Sequence, residues 1–225
     1  MFYLSRAKKS IMHVLVVAAT ELEVGGLRSE VGSEAQDSRL GTQDLTFLIT
    51  GVGMTATAFA MGKHLATNKY DLAVNLGIAG SFDRTIGLGE VVEITEDTFA
   101  DLGADNNGEF ISVEQLGFGT NMYPATAKLS DHYPNAKNIK QARAITVNTV
   151  SDSESSIEKI TRRLNPQLES MEGAAFFYAC REMNLPCLQI RAVSNYVERR
   201  NRDNWKIGLA IKNLNTFAVE FLKAL

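Results

Sequence analysis

The sequence predicts an α/β fold in which a parallel or mixed sheet is layered with helices, and two observations support this class. Four short apolar runs lack strict polar alternation, which is typical of strands buried on both faces of a parallel sheet. Segments with apolar residues at helical spacing lie between them, and such alternation favours layered α/β folds. The predicted strands are residues 14–19, 46–50, 72–76 and 188–193, and the predicted helices are residues 55–66, 157–164, 173–183 and 205–225.

The first predicted strand follows a basic segment, residues 6–9. Together with the apolar run 11–19, this segment resembles the start of a secretory signal. The run is short, contains His13 and passes directly into acidic sequence, so we favour a buried strand. Residues 1–11 are then a flexible N-terminal extension, and residues 12–225 are a single domain of ordinary size.

Residues 100–140 differ from the rest of the chain. The segment 101–110 is rich in Gly, Asn and Asp, and 117–124 continues this composition. A long loop without secondary structure is usually functional or a subunit contact. We therefore predict an irregular segment here, with residues 100–124 as a candidate contact in a homo-oligomer.

Charge and cysteine content exclude several classes of function. The 225 residues carry 23 basic and 26 acidic side chains, a net charge of −3 with histidine neutral, so no broad basic field is available for nucleic acid or for a membrane surface. Cys180 and Cys187 lie in apolar stretches and are expected to be free thiols in a reducing compartment, the cytoplasm. Neither has metal-ligand spacing and the three histidines are scattered, so we expect no metal and no cofactor.

Two acidic residues stand where predicted helices begin. Glu23 follows Thr20 at the spacing of a capping box, which is a sufficient structural explanation for it. Glu172 lies at the start of a helix, where the helix dipole favours an acid. In open α/β sheets, however, ligands bind at the carboxyl ends of strands, so both residues are also catalytic candidates.

Small and polar residues follow three of the predicted strands. Gly51-Val-Gly53 lies between a strand and a helix, which allows backbone amides to approach a ligand but also suits a tight turn. Asn75-Leu-Gly-Ile-Ala-Gly-Ser81 ends in small residues that leave room for a flat group. Asn195 ends the fourth strand, where an asparagine can also simply turn the chain.

Taken in order, these segments resemble the nucleoside phosphorylase and nucleosidase superfamily, in its methylthioadenosine/S-adenosylhomocysteine nucleosidase branch, from Met12 onward. The segments are Thr20-Glu-Leu-Glu-Val24, Thr50-Gly-Val-Gly53, Leu76-Gly-Ile-Ala-Gly80, Ser170-Met-Glu-Gly-Ala-Ala175 and Arg191-Ala-Val-Ser-Asn195. Within the superfamily the chain is most similar to the futalosine hydrolase family, through Thr98-Phe-Ala-Asp-Leu-Gly-Ala104, Val147-Asn-Thr-Val150 and Arg202-Asp-Asn-Trp205. The resemblance implies a nucleoside phosphorylase-like domain, with a mixed, mostly parallel sheet surrounded by helices, that assembles into oligomers.

The resemblance also implies a reaction, the removal of hypoxanthine from futalosine to leave dehypoxanthine futalosine. It makes Glu23 the base that activates water, and Glu172 the acceptor for the ribose hydroxyls. The remaining residues that it implies for the substrate are Met171 against the sugar, Ala79, Gly80, Val150 and Ser151 around the base, and Val52 and Ser194 beside them.

Asn195 departs from the pattern of adenine-directed nucleosidases, which carry an aspartate at this place. An amide can donate to N7, to O6 or to both atoms of a 6-oxopurine, whereas a carboxylate near O6 would oppose one acceptor with another. Asn195 cannot protonate N7, so activation of the leaving base is expected to rely on hydrogen bonding. The residue therefore favours hypoxanthine over adenine.

Three alternative functions each conflict with particular residues of the sequence. A phosphorylase would need phosphate-binding arginines, but acidic residues and Asn75 stand at the expected positions. An adenine-specific nucleosidase conflicts with Asn195. A catalytically silent nucleoside-binding protein conflicts with the presence of both Glu23 and Glu172.

Overall fold

In the computed structural model, the structure describes residues 11–31, 37–40, 43–199 and 201–225. Within these ranges the helices are α1 (Glu21–Glu30), α2 (Met54–Leu65), α3 (Glu154–Leu164), α4 (Gly173–Glu182) and α5 (Ile207–Ala224). The strands are β1 (Met12–Ala18), β2 (Asp37–Leu40), β3 (Gln43–Ile49), β4 (Leu72–Ser81), β5 (Val91–Phe99), β6 (Gly103–Asn106), β7 (Glu109–Ser112), β8 (Met122–Pro124), β9 (Lys140–Thr146), β10 (Leu168–Ser170) and β11 (Cys187–Tyr196).

Nine of the described strands form one mixed sheet, and β6 and β7 form a separate hairpin. The strand order in the nine-stranded sheet is β10-β9-β5-β11-β4-β1-β3-β2, with β8 paired to β5. The four strands predicted from apolar runs lie side by side and parallel as β3-β1-β4-β11. Their carboxyl ends therefore meet at one edge, which is where the sequence placed the candidate residues.

Helices cover both faces of this sheet because alternate residues of its strands point to opposite sides. Val14 and Val16 of β1 pack into a cluster with Val24 of α1 and with apolar residues of α5. Leu15, between them, packs into a second cluster with Met61 of α2 and with α4. The α/β fold with a mixed sheet and surrounding helices is thus confirmed.

The prediction of an irregular segment over residues 100–140 was wrong. The hairpin β6–β7 lies there, β8 pairs with β5, and two short 3-10 turns follow before β9. The predicted N-terminal extension lies outside the described residues except for Ile11. No helix in the described ranges is long and apolar enough to span a bilayer.

Candidate active site

One cavity of about 550 Å³ lies at the carboxyl edge of the parallel strands. It is bounded by the ends of β1, β4 and β11 and by the starts of α1 and α4. The structure brings together in its lining all ten residues singled out from the sequence: Glu23, Val52, Ala79, Gly80, Val150, Ser151, Met171, Glu172, Ser194 and Asn195. The hydrogen bonds and burial of each side chain indicate what it can do in the cavity.

Glu23 belongs to the first turn of α1, and its side chain is only 9% exposed. The backbone N–H and the hydroxyl of Thr20 both donate to its Oε2, at 2.9 and 3.1 Å. The backbone N–H of Ile78 donates to Oε1 at 3.3 Å. The capping interaction expected from the sequence is therefore present, and the same carboxylate also borders the cavity.

Glu172 is the residue immediately before α4 rather than a member of its first turn. The backbone N–H of Gly53 donates to its Oε1 at 2.8 Å, which ties the turn after β3 to the start of α4. Burial raises the pKa of Glu172 above its usual range, although Arg191 and the Gly53 amide oppose the shift. Each oxygen accepts one backbone N–H, so each retains a lone pair for a ligand.

Arg191 was not singled out in the sequence, although it interrupts the apolar run of β11. It is only 2% exposed and donates through Nη2 to Asn75 Oδ1. A Cβ on Gly77 would lie 2.3 Å from Arg191 Nη1 and 3.1 Å from Glu23 Oε1. The glycine therefore makes room for the guanidinium beside Glu23, and this positive charge favours the ionised form of Glu172.

Asn195 follows an irregularity in the pairing of β11 with β4. The hydroxyl of Ser194 donates to its Oδ1 at 2.8 Å, and its Nδ2 donates to Tyr196 O at 3.1 Å. With its oxygen engaged and one N–H used, the amide presents a second N–H as a donor. An asparagine held in this way can recognise an acceptor on a ligand.

Two further acidic residues of this region were not predicted from the sequence, because the groups around them come from distant segments of the chain. Glu169 of β10 lines the cavity and accepts the backbone N–H of Ser151 at 3.0 Å. Asp97 of β5 is completely buried beneath the start of α4, and burial raises its pKa to about 6. A buried carboxylate is normally hydrogen-bonded, but its partners cannot be identified from spacing along the chain.

The outer part of the cavity is apolar and includes one basic side chain. Leu22, Ile207 and Ile211 line it together with Trp205 and Arg202. Val52 at its rim is 60% exposed. The predicted helix over residues 205–225 in fact begins at Ile207, which leaves Trp205 in the cavity wall.

Comparison with known proteins agrees with this geometry. The sequence pattern of the Phosphorylase superfamily matches residues 14–225, nearly the whole chain. The chain therefore belongs to the phosphorylase superfamily.

Two sequence relatives indicate which enzymes within the superfamily this chain is similar to. The chain is 28% identical over 204 residues to a futalosine hydrolase of Thermus thermophilus, covering 89% of this chain and 91% of the relative. It is 31% identical over 216 residues to a futalosine hydrolase of Streptomyces coelicolor, covering 90% and 92%. Within the superfamily, the chain falls among the nucleosidases, the enzymes that cleave N-glycosidic bonds.

A solved structure shares the fold. The 5′-methylthioadenosine/S-adenosylhomocysteine nucleosidase of Neisseria meningitidis, in complex with methylthio-immucillin-A, superimposes with a TM-score of 0.81. The match covers 95% of this chain and 100% of that chain at 19% identity. At this identity the likeness shows the nucleoside phosphorylase fold alone.

Proposed function

We propose that this chain hydrolyses the N-glycosidic bond of futalosine and releases hypoxanthine and dehypoxanthine futalosine. The observation that carries the proposal is the presence, in one cavity, of the Glu23 carboxylate and of an Asn195 amide with an N–H to donate. The futalosine hydrolases among its relatives support the choice of substrate. The proposed setting is the cytoplasm, in a homo-oligomer.

Glu23 activates the water that attacks C1′ of the ribose. Its Oε2 is engaged by Thr20, whereas Oε1 accepts, within the described part of the chain, one long 3.3 Å bond from Ile78 and retains a lone pair for water. A carboxylate held at fixed orientation accepts the proton as the carbon–oxygen bond forms. The Arg191 guanidinium, beside Gly77, places a positive charge next to this carboxylate.

Glu172 binds the ribose hydroxyls, and Met171 packs against the sugar. As the glycosidic bond breaks, positive charge develops on the ribose ring. A carboxylate bonded to its hydroxyls stabilises that charge more in the transition state than in the bound substrate, which is the condition for catalysis. Because the pKa of Glu172 is raised, we expect turnover to decline on acidification at a higher pH than an ordinary glutamate would give.

Asn195 donates its remaining N–H to an acceptor of the leaving base, N7 or O6. The Ser194 hydroxyl donates to the amide oxygen at 2.8 Å, which orients the amide and leaves one Nδ2 hydrogen for the base. Such a donor stabilises negative charge developing on the departing purine. This arrangement suits hypoxanthine, whose O6 is an acceptor.

Water is favoured over phosphate as the nucleophile. Three carboxylates, those of Glu23, Glu172 and the buried Asp97, surround the single guanidinium of Arg191. Because the acids outnumber the guanidinium, this end of the cavity is net negative when they are ionised, which repels a phosphate dianion but not water.

The outer cavity is the proposed site for the benzoate-bearing tail of futalosine. Trp205 and Ile211 provide apolar surface, and Arg202 provides a charge complementary to a carboxylate. Of the three arginines near Asn195 in sequence, Arg202 lines this cavity, Arg199 is exposed outside it, and Arg200 lies outside the described residues.

The reaction is tested by incubating the purified protein with futalosine in ¹⁸O-labelled water without phosphate. We expect release of hypoxanthine and one ¹⁸O at C1′ of the sugar product. Absence of base release, or release only with phosphate and without label, would contradict hydrolysis.

A further inference from the structure

Glu169 is a buried acid whose hydrogen bonding is incomplete within the described part of the chain. It is 5% exposed and lines the cavity. Its Oε1 accepts the backbone N–H of Ser151, whereas its Oε2 is enclosed and has no partner among the described residues. An unpaired buried carboxylate oxygen is costly, so a donor supplied by a ligand would stabilise it.

The sheet register places Glu169 opposite Asn195. Gly80 of β4 pairs with Asn195 of β11 on one side and with Glu169 of β10 on the other. Paired residues on neighbouring strands point to the same face of a sheet, so both side chains stand on the face that bears the cavity. Gly80 has no side chain between them, and a Cβ there would lie 3.1 Å from Asn195 Nδ2.

The spacing of these strands suits the edge of one flat base. Neighbouring strands lie about 4.8 Å apart, so β11 and β10 stand about 10 Å apart across β4. Asn195 Nδ2 reaches over the middle strand, close to the position of a Cβ on Gly80, so the amide and the Glu169 carboxylate can contact the same edge of one base. The terminal torsion of glutamate is soft, so the carboxyl group can turn its Oε2 toward the cavity.

We propose that Glu169 accepts a hydrogen bond from the N1–H of the leaving base and that the Asn195–Glu169 pair selects 6-oxopurines. Hypoxanthine presents an acceptor at O6 and a donor at N1, which match an amide N–H and a carboxylate. Adenine presents an amine donor and an unprotonated N1, which match neither. The assignment rests on the proposed nucleosidase function, whose base site it completes.

Burial of the carboxyl group is consistent with this role. Desolvation raises the pKa of Glu169 above the usual value, against the opposing effect of Ser151. A donor from the base would favour the ionised form that accepts it. The carboxylate is therefore more stable with the 6-oxopurine bound than without it.

Binding of the free base tests the assignment without requiring turnover. Calorimetric titration with hypoxanthine, 1-methylhypoxanthine and adenine compares wild type with Glu169→Gln. Glu198→Gln is the matched control, because Glu198 also lines the cavity but is already paired with Arg84. We expect wild type and the control to prefer hypoxanthine over both other bases, and Glu169→Gln to lose about 10- to 100-fold in affinity for hypoxanthine.

Two results would overturn the assignment. One is a Glu169→Gln protein that retains its thermal melting and binds hypoxanthine within about twofold of wild type. The other is a wild-type protein that binds hypoxanthine no better than 1-methylhypoxanthine, or that does not bind it measurably. The wild-type comparison needs no variant, so a misfolded variant does not prevent the test. Failure of futalosine hydrolysis with base selection intact would contradict the proposed reaction but not the role of Glu169.

Discussion

Glu23 combines a cap for α1 with a place in the cavity wall, and one substitution separates these two roles. Glutamine also closes a capping box, so Glu23→Gln is expected to preserve the helix. It removes the proposed base that activates water, and we expect kcat to fall by about 100-fold or more. The measurement is kcat together with thermal melting.

Glu21→Gln is the matched control for that variant. Glu21 lies in the same helical turn but is exposed and paired with Arg28. We expect the control to keep wild-type turnover. Activity of Glu23→Gln within a few fold of wild type would show that Glu23 serves only as a cap.

At Asn195, replacement of the amide nitrogen by oxygen is expected to change which purine base is preferred. Asn195→Asp replaces the donor N–H with an acceptor, which opposes O6 of hypoxanthine and suits the amine of adenine. We expect the kcat/KM ratio of inosine to adenosine to fall by about tenfold or more. Asn68→Asp, at an exposed position after α2, is the control, and an unchanged ratio in Asn195→Asp would mean that the base is recognised elsewhere.

The start of α4 is held by a buried polar cluster that fixes the position of Glu172. The hydroxyl of Thr146 donates to Asp97 Oδ1 at 2.8 Å and accepts the backbone N–H of Ala174 at 2.7 Å. Gln189 Nε2 donates to the other oxygen of Asp97 at 3.1 Å. The cluster thus ties three strands to the first turn of α4.

Gly173 allows this close approach, and its replacement is expected to disturb it. A Cβ there would lie 2.0 Å from Asp97 Oδ2 and 2.2 Å from Gln189 Oε1. We expect Gly173→Ala to lower the free energy of unfolding by about 1–3 kcal/mol and to raise KM through displacement of Glu172. Gly208→Ala in α5, where a Cβ meets no atom within 4 Å, should be neutral or slightly stabilising. Equal stability of the two variants in denaturant unfolding would contradict this account of the helix start.

Asp97 makes the stability of this region dependent on pH. Burial raises its pKa from 3.8 to about 6, so the folded chain holds the proton more tightly than the unfolded chain does. The associated stability is present below about pH 4 and is lost as the pH rises through 6, a change of about 3 kcal/mol.

Asp97→Asn removes this titration and should stabilise the chain at neutral pH, because its amide can donate to Gln189 Oε1, which has no partner among the described residues. Denaturant unfolding at pH 4 and pH 7 measures the effect as the difference between variant and wild type. The same difference at both pH values would show that Asp97 does not titrate in this range.

The four parallel strands at the centre of the sheet could be predicted from the sequence because each contains a short apolar run. Asn75 in β4 and Arg191 in β11 are buried polar residues within these strands, and the runs beside them were long enough to indicate a strand. Strand β5 was missed because Glu93 and Asp97 interrupt it, although both are buried and hydrogen-bonded to distant residues. Arg191 and Glu169 escaped notice for the same reason, since their partners lie in other strands.

At the scale of the whole molecule, the parallel arrangement of β3, β1, β4 and β11 explains why residues far apart in sequence share one cavity. The segment that was expected to contact another subunit carries exposed apolar side chains at Leu102, Leu116 and Phe118. Exposed apolar side chains of this kind are common at subunit interfaces. They support the proposed homo-oligomer, and light scattering measures its size.

The central claim is that this nucleosidase hydrolyses futalosine. Its most direct test is kcat/KM for futalosine, inosine and methylthioadenosine, each measured with and without phosphate. We expect futalosine to be preferred by about tenfold or more, with hypoxanthine as the released base and the same rate when phosphate is absent. Preference for methylthioadenosine, or turnover that requires phosphate, would contradict the account.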